Sequence, residues 1–563
     1  MKINSHLDIG KIGWWGMFVL IGLGILMRFY QITRDEFYLY DEGLYFNYNH
    51  ILIKLWSLHP PESWEQWKQA LLVWFRFSLA SGKALWFLLV DARIFFGGID
   101  LLFFPRLVSA VAGALTLWVT FLFAKRFYNS KWIGLLSVAF LVVLPSHVFY
   151  SRLGFQEALS TLFFISGFYF YVFPRALGKR TFWSGLFFVG AYFTNYRLII
   201  LPALIAFAEI ALSLSEKKLL DFRKYLWHTL TFLFFVIIIG NLDMKQNAVV
   251  TYAWMFHQAD LTKGHFNWFN LFSYPYYLFR LESFLFGVFF WGNLYYLYPP
   301  SLNYFRVQLR RITRRSSNVK TLERSGDRRE WNKLFPFALV CFQMLIFSFP
   351  ADHAARYLCV VTPFMAMAAA SLVVSILEQA KDQVLKAATV GICVFALMSL
   401  FVKSFQIVAS HSDYKPSMEF LTQGNPNARI LSTQPWIQKL YVADQKKVLD
   451  CPHTFERFVE FYTNGFRFLI LCPQAYISWT ESGQKFTFRL ENYLGFVSSS
   501  VKPVKVFGHL SRVMLERFVF EHNEDLWQSV VFLNSSRKDL GAIRVYDIRE
   551  ILVEMRQEAD RKK

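Results

Sequence analysis

Residues 12–50 read IGWWGMFVLIGLGILM and then RFYQITRDEFYLYDEGLYFNYNH. The first string carries no charge and reads as a helix crossing a membrane, a task that takes roughly 20 apolar residues. The second brings two adjacent carboxylates, Asp41 and Glu42, just beyond the end of that span. A carboxylate at a membrane–water boundary keeps its charge more cheaply than one at bilayer depth, and it can meet both a lipid head group and a water-borne substrate. The plainer reading is that Asp41 and Glu42 only solvate the exit of the first span. The rest of the chain weighs the two readings.

Composition points to a polytopic membrane protein. Of 563 residues, 55% are hydrophobic, 19% aromatic and 18% charged, against about 25% charged in soluble chains; mean hydropathy is +0.30. The net charge of +20 would suit nucleic acid, but the basic residues concentrate in loops between apolar runs, where membrane orientation explains them and no nucleic-acid partner is implied. The basic N-terminus leads into the first run without a small-residue cleavage site, which predicts a retained signal anchor and a chain that starts in the cytoplasm. Cys341, Cys359 and Cys393 lie in or beside apolar runs, where a thiol acts as a small hydrophobe. Cys451 and Cys472 lie in a polar segment, and their pairing stays open.

After the first span, 30–104 is too polar to cross. Its aromatic-rich pieces 37–56, 64–77 and 83–96 read as helices lying on the membrane surface, the last with Asp91 and Arg93 within it. Further spans are predicted at 105–124, 132–149, 157–173, 182–194, 198–214, 226–241, 284–299, 334–349, 357–377 and 387–401, about eleven with the first. An inside start then places the basic segments at 125–126, 175–180, 216–224, 304–333 and 378–386 in the cytoplasm, as the positive-inside rule requires. The segment 304–333 is also placed to touch anionic membrane lipid. The expected architecture is an all-α polytopic membrane domain over 1–403, with interfacial helices in its first outer loop. From 404 to 563 the composition becomes that of a soluble domain, predicted to be extracytoplasmic and α/β, with strands near 428–432, 447–450, 466–471 and 542–546.

Four polar clusters fall on the predicted outer side: Asp41-Glu42; Lys83; the turn Ser151-Arg152 to Glu157; and Asp352-His353-Ala-Ala-Arg356-Tyr357. Each alone is more often a solvated loop charge. Together, carboxylates facing Lys and Arg can hold an acceptor beside a lipid-linked phosphate, with the bases neutralising phosphate and an acid deprotonating the nucleophile.

Asp41-Glu42-Gly-Leu-Tyr45 resembles the acidic loop motif of membrane glycosyltransferases of the C superfamily, the group that includes family 39, the protein O-mannosyltransferases and the lipid A aminoarabinose transferase. Further motifs follow in that family's order: Ser81-Gly-Lys83-Ala-Leu-Trp86, with Ala84-Leu85 where the family has Pro-Pro; Pro105-Arg106-Leu-Val-Ser109; and Phe149-Tyr-Ser-Arg152 to Glu157, with Glu where the family often has Asp. Thr194-Asn-Tyr196-Arg197, Ser273-Tyr-Pro-Tyr-Tyr277 and His353-Ala-Ala-Arg356-Tyr357 complete the series, which covers roughly 10–401.

The resemblance implies an inverting transfer of a hexosyl or pentosyl unit from a polyprenyl-phosphate donor to a hydroxyl or phosphate on a protein, lipid or polysaccharide, at the outer face of the cell (inner) membrane. On that reading Asp41 is the general base, supported by Glu42. Glu157 is a second acidic contact, and Lys83, Arg152, His353, Arg356 and Tyr357 are donor-phosphate candidates. No metal cluster shows in the sequence and none is required, since Arg and Lys can neutralise the leaving phosphate; a divalent cation on Asp41 and Glu42 is the second arrangement. A transporter or flippase of a lipid-linked sugar is the rival class, and a sensor or scaffold anchored by the spans is a third. Transporters usually show internal repeats and polar groups at the midplane, whereas here the charges sit at the outer ends.

Overall fold

The computed structural model describes residues 9–33, 42–47, 62–80, 82–93, 103–173, 179–216, 222–241, 268–294, 328–349, 353–452, 455–473, 480–481, 484–485, 494–508, 510–521, 526–534 and 541–561. Asp41, Asp352 and most of the basic segment 304–333 lie outside them.

Each predicted span coincides wholly or in part with helix. Among the described residues, four helical segments are long and apolar enough to cross a membrane: Phe104–Phe127, Tyr196–Ser213, Ala355–Gln379 and Gln383–Gly424. A fifth candidate, over the predicted 132–149, is a broken pair, Lys131–Val142 and Pro145–Arg152, bent by 59°. The break has a local cause. Proline has no N–H and disfavours helical geometry in the residue before it, and Leu144 is accordingly extended ahead of Pro145. Shorter apolar helices lie at Trp14–Phe29, Glu157–Val172, Phe182–Thr194 and Leu334–Phe347, and helices Phe222–Asn241 and Phe284–Trp291 lie over the predicted 226–241 and 284–299.

Burial sorts these helices. Ala355–Gln379 is the central one, with 89% of its most apolar window buried, while only 22% of that window is buried in Gln383–Gly424. Ala366, Ala368, Ala369 and Ala370 allow the close approach at the centre. Val384, Val394, Phe395 and Met398 are exposed, as a lipid-facing helix requires.

Helix Trp64–Ala80 exposes Trp64 and Val73, in keeping with an amphipathic surface helix. The piece at 83–96 differs from its prediction as a surface helix. Its helix, Ala84–Asp91, buries Trp86, Phe87 and Val90 in the bundle core. The charge that suggested a surface position, Asp91, is fully buried and accepts a 2.7 Å hydrogen bond from the Trp74 indole.

The C-terminal segment contains the predicted strands and more. Strands β1 (Arg429–Ser432), β2 (Val448–Asp450), β3 (Phe466–Leu471), β6 (Lys505–Phe507) and β7 (Ile543–Asp547) form a five-stranded sheet of order β2-β1-β3-β7-β6. The short strands β4 (Thr480–Glu481) and β5 (Gln484–Lys485) pair as a separate hairpin. β1 is parallel to β2 and β3, and β7 is antiparallel to β3 and β6.

Alternation along the strands divides the apolar residues between two faces. Ile430, Val448, Ile470 and Cys472 lie in one cluster, and Leu431, Leu469, Leu471 and Cys451 in the other. The two cysteines are therefore separated by the sheet, and both are free thiols. Burial pushes the Cys472 thiol up to about 11. Mass spectrometry without reductant is expected to find both thiols reduced, with alkylation slow in the native protein and complete on unfolding. A native mass lower by two protons at this pair would overturn the assignment.

Between β6 and β7 the chain leaves the sheet. Helices Arg512–Glu521 and Leu526–Asn534 place Met514, Leu515, Phe518, Val519, Phe520, Leu526 and Leu533 in the same core cluster as the apolar helices.

Candidate active site

Glu157 is the first residue of helix Glu157–Val172 and is 1% exposed. Its Oε1 accepts from the Gln156 side-chain amide at 3.0 Å, whereas among the described residues its Oε2 has no hydrogen-bond partner. The positive charges acting on this carboxylate are those of Arg356, Lys83 and Arg197. A buried carboxylate is costly unless compensated, and here the compensation comes from three segments far apart in sequence.

Each cation arrives at a helix end. Arg356 stands in the 3-10 segment Ala355–Val361 that opens the central helix, so the most buried helix of the bundle sets its position. Its guanidinium Nε lies 3.3 Å from Glu521 Oε1. Lys83 immediately precedes helix Ala84–Asp91; it donates to the Tyr45 hydroxyl and lies 3.9 Å from the centroid of that ring. Arg197 is the second residue of the 3-10 segment Tyr196–Ile200 that follows helix Lys179–Thr194, and its guanidinium lies 4.4 Å from the Tyr357 ring centroid.

Two loops are locked together to bring Lys83 and Arg197 to one place. Gly82 O accepts from Tyr196 N at 3.0 Å. Gly82 has φ +68°, and a Cβ there would come within 2.8 Å of the Tyr196 ring. Only glycine meets both conditions.

Glu42 lies in a short helical turn over 42–47 and is fully buried. Its Oε1 accepts from Arg106 Nε at 3.2 Å, Arg106 Nη2 at 3.1 Å and Gly154 N at 3.1 Å. The carboxylate thus ties the acidic loop to helix Phe103–Phe127 and to the turn before Glu157. The same helical turn packs Tyr45 against Phe87 and Phe155. It also touches the C-terminal segment: a Cβ on Gly43 would meet Ile437 Cγ1 at 2.7 Å, and Asn47 Oδ1 accepts from Gln445 at 3.0 Å.

The structure therefore gathers Lys83, Glu157, Arg356 and Tyr357, with the Glu42 turn joined through Tyr45. Arg152 and His353 have other partners. Arg152 Nη1 donates to Met27 O, Arg28 O and Tyr30 O at 3.0, 3.3 and 2.9 Å, capping the carbonyls that helix Ile9–Phe29 leaves open. His353 Nε2 bonds Ser348 O at 3.1 Å, and its backbone carbonyl accepts from Tyr277 at 2.9 Å. Arg197, Tyr45 and Glu521 were not singled out as site residues in the sequence. Tyr45 and Arg197 stood there only as members of the quoted motifs, with no role given, and Glu521 left no signal. Among the described residues no group of three or more His, Cys, Asp or Glu gathers.

The fold is similar to that of ArnT from Cupriavidus metallidurans. With undecaprenyl phosphate bound, that structure shares 11% identity over 97% of this chain and 98% of that one, with a TM-score of 0.47. In the apo state the figures are 13%, 85%, 97% and 0.48. The apo oligosaccharyltransferase of Archaeoglobus fulgidus gives 10% identity over 83% of this chain and 70% of that one, with a TM-score of 0.48. No protein-family profile matches the chain, and no curated protein does.

Proposed function

We propose that the chain is an inverting glycosyltransferase that moves a sugar from a polyprenyl-phosphate donor to an acceptor at the membrane surface. The observation that carries this reading is the buried Glu157 carboxylate with an unpartnered oxygen beside Arg356, Lys83 and Arg197. Cations converging on one point at the ends of apolar helices suit a phosphate whose lipid tail lies in the membrane. They act most strongly where charge develops, on the departing phosphate oxygen.

In the reaction an acceptor oxygen attacks the anomeric carbon from the face opposite the phosphate. The C–O bond to phosphate breaks as the new bond forms, and the phosphate leaves with the electron pair. The acceptor proton passes to a carboxylate, and the acidic loop supplies Asp41 for it. Glu42, engaged by Arg106 and Gly154, holds that loop in place. Glu157 orients the basic groups and offers its second oxygen to a sugar or acceptor hydroxyl.

The test is conversion. Purified protein with a radiolabelled polyprenyl-phosphate sugar and a membrane extract as acceptor source is expected to release polyprenyl phosphate and label an acceptor. Movement of intact donor across liposomes without transfer would favour the transporter. Arg356→Ala is expected to weaken donor binding by about 100-fold, the loss of a charge-assisted pair, and Arg356→Lys to recover only part of it for want of the bidentate fork. Unchanged donor affinity in folded Arg356→Ala protein would remove Arg356 from the site.

A further inference from the structure

We infer that Glu521 is a positioning residue for Arg356, so that the C-terminal segment holds in place the arginine that the donor phosphate meets. The inference rests on the donor site proposed above and adds to it a part of the chain outside the family-like motifs.

Glu521 is the last residue of helix Arg512–Glu521 and is 1% exposed. Its two oxygens are used in different directions: Oε1 lies 3.3 Å from Arg356 Nε, and Oε2 accepts from the Tyr150 hydroxyl at 2.6 Å. A carboxylate at a helix C-terminus is opposed by the helix dipole, and a buried one is also penalised by desolvation. Both costs fall on this residue, and the arginine and the tyrosine each help to offset them.

The helix that presents Glu521 is itself fixed to the bundle. Arg517 donates to Ser146 Oγ at 3.2 Å and to Leu281 O at 3.3 Å, and it lies 5.3 Å from the Phe149 ring centroid. Glu516 pairs with Arg280 as well as with Arg512. The Phe520 ring packs against Tyr277, whose hydroxyl supports the His353 carbonyl three residues before Arg356. One helix thus anchors the Arg356 side chain and braces the turn that carries it. An arginine ordered before its ligand arrives gives up less freedom on binding.

The test uses the detergent-purified full chain, with a long-chain isoprenyl phosphate and the matching isoprenyl alcohol as probes. Glu521→Gln keeps the shape and an acceptor for Tyr150 but removes the charge that orients Arg356. It is expected to weaken isoprenyl phosphate binding by about tenfold, the scale of coupling between touching charged groups, and to leave alcohol binding unchanged. In an Arg356→Ala background the same change is expected to have no further effect, and Tyr150→Phe is expected to give a smaller loss in the same direction. Phosphate binding by folded Glu521→Gln protein within twofold of wild type would overturn the inference, as would an equal loss with Arg356 already removed. A wild-type protein that binds phosphate and alcohol equally would overturn the donor reading and this inference with it. Wild-type discrimination without a Glu521 effect would overturn the inference alone.

Discussion

Asp41→Asn is expected to lower sugar transfer by a factor of about 100 or more, the scale of losing a positioned general base, with expression and donor binding preserved. The change removes charge without shape. Asp41 precedes Glu42 in the sequence, and the buried Glu42 carboxylate is held by Arg106 and Gly154 N. In the proposed reaction the donor phosphate meets Arg356, Lys83 and Arg197, so the substitution leaves donor binding to them. Transfer by purified Asp41→Asn protein at the wild-type rate would remove Asp41 from the mechanism. Weakened donor binding with normal turnover of bound donor would move it from acceptor to donor side.

The second large effect is on stability. Glu42 and Arg106 are 0% and 4% exposed, with Oε1 and Nη2 3.1 Å apart. Removing one partner leaves a buried charge uncompensated, so Glu42→Ala is expected to cost about 3–5 kcal/mol and to lower the thermal midpoint in detergent sharply. Replacing both groups by methionine is expected to recover much of that loss, because a buried pair exchanged for well-packed apolar side chains is often close to neutral. The double variant also separates holding from chemistry. If it folds and transfers sugar, Glu42 only holds the loop; if it folds and does not, Glu42 takes part in the reaction. Equal midpoints for Glu42→Ala and wild type would show that the pair contributes little.

The apolar runs and the strands of 428–471 were legible because each is a local pattern: hydropathy over a window, or alternation over a few residues. The bend at Leu144-Pro145 was also written in the sequence, as a proline inside an apolar run, and a window average hides it. The buried helix Ala84–Asp91 was harder. A charge at its end signals a surface unless a partner is known, and one partner of Asp91, Trp74, sits in the preceding helix.

Local patterns in the chain sufficed for a helical membrane protein with a small α/β region near its C-terminus, and they pointed to Asp41, Glu42, Lys83, Arg152, Glu157, His353, Arg356 and Tyr357 as site residues. Tertiary structure alone decided that Arg152 caps the first helix, that Glu42 is consumed by Arg106 and Gly154, that Arg197 joins the site, and that helix Arg512–Glu521 enters the bundle to reach Arg356. The physical reason is one of range. Hydrophobic periodicity is a property of neighbouring residues, whereas the partner of a buried charge is chosen by whichever distant segment packing brings within hydrogen-bonding distance.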